Sequence, residues 1–334
     1  MIHSKWRAGY SETGKSGSGA SLWKLTVVMQ HSAGGLAYNI KTANIVFPTG
    51  LVVYDHEPLF SGNILKFQDK WYRIGEGHKA YLPDKTEDED FYLLTLAAIA
   101  SELNHWHITQ ADVILAAGLP LTWTGRQREA FRSYLMQKQD VEFTYNDTPY
   151  RIHFTDCNVF PQGYSAMVPI IDSNPDAFKG TVVLADIGNG TMNTLYMVNG
   201  NPDENRSYTE ELGVKQCVAA AEKVLMNDYG INADEGVIQQ ILMTGTADIA
   251  QEYMTPVIEV GQKYVAGIFD ALRKHGYDPR IMRLFVIGGG GVLVKNFGQY
   301  EAGRVTIVSD ICANAKGFEY LSQGLLWNRK QAVR

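Results

Sequence analysis

Cysteine is scarce in this sequence: Cys157, Cys217 and Cys312 stand far apart among 334 residues. An odd count without paired spacing supplies neither a disulfide framework nor a thiolate zinc site, and a reducing, cytoplasmic setting is expected. Long apolar runs are missing as well. No stretch approaches the ~20 continuous apolar residues of a membrane helix, and the polar, Gly/Ser-rich Met1 to Trp23 does not read as a signal peptide. No membrane association is expected. Nor is there an excess of positive charge, because 30 Lys and Arg face 36 Asp and Glu for a net charge of −6. Direct binding to DNA is therefore not expected, and contact with DNA would run through a partner. Aromatic residues do not alternate with basic ones as they do in base-stacking surfaces. What is present is a globular balance, 45% hydrophobic and 20% charged, over a length that suggests about two domains.

Along the chain, residues 1–23 lack periodicity and read as a flexible extension, so the fold is expected to start near Lys24. Asn44–Tyr54, Ile64–Phe67 and Trp71–Ile74, the last two parted by Gln68-Asp69-Lys70, predict a small antiparallel meander. The acids Glu87 to Asp90 precede apolar residues at helical spacing and predict a solvated helix start. Val113–Leu119, closed by Pro120, reads as a strand buried on both faces. Gly180 to Val198 gives the strongest hairpin signal, two apolar runs around Gly188-Asn189-Gly190. A helix is expected from Gly213 to Asn227, then a short apolar run Ile241–Met243, a helix from Ala247 to His275 and a strand at Leu284–Ile287. This alternation predicts an α/β protein with a largely buried sheet in each half.

Four motifs bear on chemistry. Gly9 to Ser16 formally satisfies the G-x-x-x-x-G-K-[ST] phosphate loop, but its flanks provide neither the buried strand nor the helix that such a loop needs, so a chance match is expected. Asp186-Ile187-Gly188-Asn189-Gly190-Thr191 ends an apolar strand and reads either as an ordinary Gly-containing hairpin or as a phosphate cradle. In the second reading the glycines admit phosphate oxygens and Asp186 reaches a metal-bound water. Gly288 to Gly291 follow the strand Leu284–Ile287 and read as a flexible connection or a place where a nucleoside packs. His105 and His107 have no third ligand nearby in sequence, so a metal site built from side chains alone is not expected.

In combination and order these segments resemble the actin, sugar-kinase and Hsp70-type ATPase superfamily, and within it the bacterial plasmid-segregating actins of the ParM/StbA type, over roughly residues 25–330. Met29 to Gly35 leading to Asn39-Ile40-Lys41-Thr42 is similar to the family's first phosphate hairpin, and Asp186 to Thr191 to its second. Ala117 to Leu121 resembles the strand-end segment before the first domain's variable loop, and Phe160-Pro161-Gln162-Gly163 the connection that carries the water-orienting Gln or Glu. Glu211 to Lys215 and Gly288 to Gly291 resemble the nucleoside-binding segments, and Ala313 to Phe318 the closing helix. One residue departs: Gln30 stands where the family has its first-hairpin Asp.

The resemblance implies an actin-like fold of two similar α/β domains flanking a nucleotide cleft. The first would comprise 24–180 plus 311–334 with an insert near 50–90, and the second 181–310. It implies ATP or GTP with Mg²⁺ as cofactors. Asp186 would hold the metal through water and polarise the attacking water that Gln162 orients. Gln30, Asn39, Lys41, Gly188, Asn189, Gly190, Thr191, Glu211, Gly213, Lys215, Gly288, Gly289 and Gly290 would bind the nucleotide, with Lys41 on the β- and γ-phosphates. The implied activity is nucleotide hydrolysis coupled to filament assembly, and the implied partners are copies of the chain and a DNA-binding adaptor of ParR type. A small-molecule kinase of the same superfamily and a non-hydrolysing structural filament are the alternatives.

Overall fold

The structure is a computed structural model and describes residues 10–15, 21–32, 39–59, 62–76 and 89–332. The chain forms two compact units, the first from Met1–His31, Tyr38–Pro169 and Asn314–Arg334, the second centred on Ile170–Ala313. Among the described residues no helix is long and apolar enough to cross a membrane.

The first unit contains β1 (Tyr10–Lys15), β2 (Ser21–Ser32), β3 (Asn39–Lys41), β4 (Val46–Pro48), β5 (Leu51–Tyr54), β6 (Ile64–Phe67), β7 (Lys70–Ile74), α1 (Asp90–His105), β8 (Gln110–Leu119), α2 (Leu121–Leu135), β9 (Asp140–Tyr145) and β10 (Thr148–Pro161). Its sheet runs β4-β3-β2-β8-β10-β9-β6-β7-β5, with β1 paired to β2. Strand β8 lies parallel to both β2 and β10. With neighbours on both edges and layers on both faces, Val113 to Ala117 have essentially no exposure, which is why that run carries no polar alternation. Helix α1 buries every residue from Phe91 to Ala100, as a helix apolar on all sides must. Glu87 and Asp88 of the acidic cluster fall outside the described residues, while Glu89 and Asp90 sit at the start of α1.

The meander adds β6, β7 and β5 to this same sheet beyond β9. It joins through a second hairpin, β9 to β10, that the signals described above do not single out. Both hairpins turn on two residues with positive φ, Gln68 and Asp69 at 50° and 60°, Asn146 and Asp147 at 48° and 62°. That left-handed pair matches the twist of the flanking strands. The segment expected to be a flexible extension differs from expectation where it is described. Tyr10–Lys15 is a strand set antiparallel to β2, with Tyr10 opposite Leu25 and Lys15 opposite Ser21.

Helix α3 (Tyr164–Ser173) carries the chain into the second unit, followed by a short 3₁₀ turn at Pro175–Phe178. There follow β11 (Thr181–Ile187), β12 (Met192–Val198), β13 (Asn201–Glu210), α4 (Val214–Tyr229), α5 (Glu235–Thr244), α6 (Gln251–Lys274), β14 (Arg283–Ile287), α7 (Gly291–Phe297) and β15 (Val305–Ile307). Helix α8 (Ala313–Ala332) returns to the first unit. The apolar run Ile241–Met243 lies inside α5, which Asp234 caps by accepting from the Gly236 N–H at 2.8 Å and which Gly245 ends at φ 77°.

The second sheet runs β13-β12-β11-β14-β15, with β11, β14 and β15 parallel and β12 and β13 antiparallel. Its order repeats the β4-β3-β2-β8-β10 portion of the first sheet: a meander ordered back to its opening strand, then two parallel crossover strands. In the second unit the β11–β12 hairpin leaves from the end at which the parallel strands also finish, where ligands of α/β sheets collect.

Candidate functional site

In the second unit, β11 delivers Asp186 to its carboxyl end, half-buried, and the chain turns through Gly188 to Thr191 into β12. The Gly188 N–H closes the turn on the Thr191 carbonyl at 2.8 Å. Three successive carbonyls of this turn are then taken up by the start of α4. Gly188 O accepts from Val214 N at 3.0 Å, Asn189 O from Lys215 N at 2.9 Å, and Gly190 O from Gln216 Nε2 at 3.0 Å. All peptide bonds are trans. A trans peptide points its C=O and the following N–H to opposite sides, so the N–H groups of Asn189, Gly190 and Thr191 face away from α4. Successive N–H groups turned to one side are the kind of arrangement, a nest, that suits an anion, and the positive end of the α4 dipole lies behind it.

Glycines let the layers close this tightly. A Cβ on Gly213, the α4 N-cap, would lie 2.1 Å from Asn189 O, and one on Gly290 would lie 2.1 Å from Ile187 Cγ2. Gly290 N also donates to Ile187 O at 3.1 Å, fixing the start of α7 to the end of β11. Gly288, at φ 84°, presents a bare Cα beside Asp186, where a Cβ would sit 2.8 Å from Asp186 Oδ1. The glycine run is therefore a packed junction of β14, β11 and α7 rather than a slack connection. The donor set, a strand-end carboxylate beside outward-turned N–H groups, is of the type that suits a hydrated Mg²⁺ on a phosphate, since that ion keeps several waters and takes few protein ligands.

Of the residues named from sequence, Asp186, Gly188, Asn189, Gly190, Thr191, Gly213, Lys215, Gly288, Gly289 and Gly290 meet at this junction. Glu211 lies exposed just before it and the Lys215 side chain is exposed. Gln216 escapes sequence reasoning because its bond to Gly190 spans 26 positions and leaves no local pattern.

In the first unit Gln162 follows β10. Its backbone N–H donates to Leu119 O at 2.7 Å and its Nε2 to Gly118 O at 3.3 Å. The next residue, Gly163 at φ 79°, donates to Oδ1 of the buried Asn314 at 2.7 Å. Gly118 makes room for Phe318, whose Cζ would lie 2.1 Å from an added Cβ, so α8 packs directly over this segment. On the nucleotide-hydrolysing, self-assembling activity that the family resemblance implies, Gln162→Ala is expected to slow phosphate release at least ~10-fold, about 1.4 kcal/mol of barrier, with assembly retained; phosphate release and light scattering on one sample check it.

Gln30 lies in β2, and its side chain is outside the described residues, as are residues 33–38 of the first hairpin. Asn39 and Lys41 lie in β3, Asn39 half-buried and Lys41 only 1% exposed. An ammonium is held in an interior only with compensation, which singles Lys41 out among the described lysines. The phosphate-loop match has Tyr10–Lys15 in β1, and the next described element is again a strand, with Gly9 and Ser16 outside the described residues. Lys15→Ala is expected to leave nucleotide affinity within about twofold, measured by titration calorimetry. Among the described residues no three His, Cys, Asp or Glu side chains cluster as a metal site.

Residues 26–164 match the family described as actin-like proteins, N-terminal domain. An archaeal actin homologue, solved natively and also in complex with ADP, superposes with a TM-score of 0.71 and 18% identity over 89% of this chain and 99% of its own. The chain has an actin-like fold. The actin-like chain is also similar to the ParM of a 15-stranded filament from Clostridium botulinum, with a TM-score of 0.70 and 16% identity over 90% of this chain and 99% of that one. A Bacillus thuringiensis ParM, solved with ATP, gives a TM-score of 0.64 and 12% identity over 90% and 98%. No curated protein sequence matches the actin-like chain.

Proposed function

We propose that this actin-like protein binds ATP or GTP with Mg²⁺, assembles with copies of itself into filaments, and hydrolyses the nucleotide. The observation that carries this reading is the Asp186–Thr191 turn, whose three carbonyls are drawn to α4 so that three N–H groups face the other way beside a strand-end carboxylate. The ADP and ATP held by two proteins of the same fold, and the filament formed by a third, support it. When bound, Mg²⁺ would neutralise phosphate charge and orient waters. Asp186 would hold that hydrated ion and polarise the attacking water, Gln162 would orient the water, and Lys41 would meet the phosphates. Glu211, Lys215 and Gly289 would border the nucleoside, with Gln30 and Asn39 at the first hairpin.

The likeness to ParM proteins further suggests that the filament moves plasmid DNA in the cytoplasm through an adaptor of ParR type, and a net charge of −6 favours such an indirect link. Light scattering of the purified chain with and without Mg²⁺-nucleotide tests the reading, with phosphate release followed in the same cuvette and filaments viewed by electron microscopy. Both signals are expected to rise. Release without scattering would favour a soluble kinase or hydrolase, scattering without release a structural filament, and silence in both would overturn the reading.

A further inference from the structure

We infer that Gln216 is a positioning residue for the phosphate tail of the nucleotide, an inference that rests on the reading of the Asp186–Thr191 turn given above. Two of the three peptide units in that turn are oriented by backbone donors, Val214 N and Lys215 N, which any residue would supply. The third is oriented by a side chain. Gln216 Nε2 donates to Gly190 O at 3.0 Å, and through the planar peptide this bond fixes where the Thr191 N–H points. The Gln216 side chain is otherwise on the exposed face of α4, outside the apolar set Val214, Cys217, Val218 and Ala221 that anchors the helix. Its backbone place is secured independently by its N–H on Gly213 O at 3.2 Å. Sequence alone would class it as a solvated helix residue, whereas its amide holds the last peptide unit of the nest.

Gln216→Met keeps the length and helix preference of the side chain and removes only the donor; Gln216→Arg keeps a donor of similar reach. The measurement is the affinity of wild type and both variants for ADP, for the triphosphate and for adenosine, with guanine counterparts if those bind instead. Gln216→Met should weaken the di- and triphosphate about fivefold to tenfold, the scale of one hydrogen bond, and leave the nucleoside unchanged. Gln216→Arg should restore the phosphate-dependent part. In spectra of the nucleotide-free protein, the Thr191 amide resonance should shift in Gln216→Met while those of the α4 interior do not. Equal weakening of nucleoside and nucleotide would mean a merely structural role and overturn the inference. So would unchanged affinities in Gln216→Met, with the phosphate reading left standing. A wild type whose affinity owes nothing to phosphates would overturn both.

Discussion

Asp186→Ala is expected to lose nucleotide hydrolysis by about a hundredfold or more while keeping the fold, on the scale seen when one preorganised charge-stabilising group is removed. The fold should survive because Asp186 is only half-buried in β11, between Ala185 and Ile187, which are buried. Its backbone pairs with Asn193 and Ile287 whatever the side chain. Phosphate release per mole of chain is the measurement, with circular dichroism as the control for folding. Wild-type turnover in a folded variant would remove Asp186 from the chemistry.

Gly213→Ala is expected to be the most damaging single methyl group in the second unit. The φ of Gly213, −81°, suits alanine, so the cost is purely steric: the added carbon would meet Asn189 O at 2.1 Å and the Gly190 carbonyl carbon at 2.4 Å, and backbone cannot rotate aside as a side chain can. Either α4 withdraws or the turn does, and in both cases the carbonyl bonds that aim the nest are lost. A destabilisation of about 3 kcal/mol or more is expected, with nucleotide affinity falling alongside. Gly267→Ala, inside α6 with nothing within 4 Å of the new carbon, is the matched control and should stabilise by about 0.5–1 kcal/mol. Chemical denaturation of the two variants beside wild type checks both signs; equal stability would mean that the α4 junction is looser than these distances imply.

Elements with a strong local signature are legible in the order of the residues alone. The β11–β12 hairpin announces itself through two apolar runs about Gly188-Asn189-Gly190, β8 through an unbroken apolar run, and α4 through its three- and four-residue steps. The run Ile241–Met243 is ambiguous because three apolar residues suit any element. The decisive signals are the Asp234 cap and Gly245 stop that bracket α5. The β9–β10 hairpin is readable in principle, since Asn146-Asp147 separates Val141, Phe143 and Tyr145 from Tyr150, Ile152 and Phe154, all buried. At the candidate site the glycines and Asp186 can be picked out by type. That Gly213 and Gly290 owe their small size to protein backbone and side chain, and that Gln216 reaches Gly190, follow from tertiary packing that no local window contains.

The burial of Cys157, Cys217 and Cys312 has a practical consequence. Loss of hydration pushes the Cys157 and Cys217 thiols up to about 12, so at neutral pH both stay protonated and react sluggishly with alkylating reagents. A cysteine introduced on an exposed helix face, such as Lys223→Cys on α4, would therefore be the fast-reacting thiol of the folded chain. Maleimide dyes could then mark the chain without first stripping the native cysteines, and the proposed assembly could be followed by fluorescence on an otherwise unaltered protein.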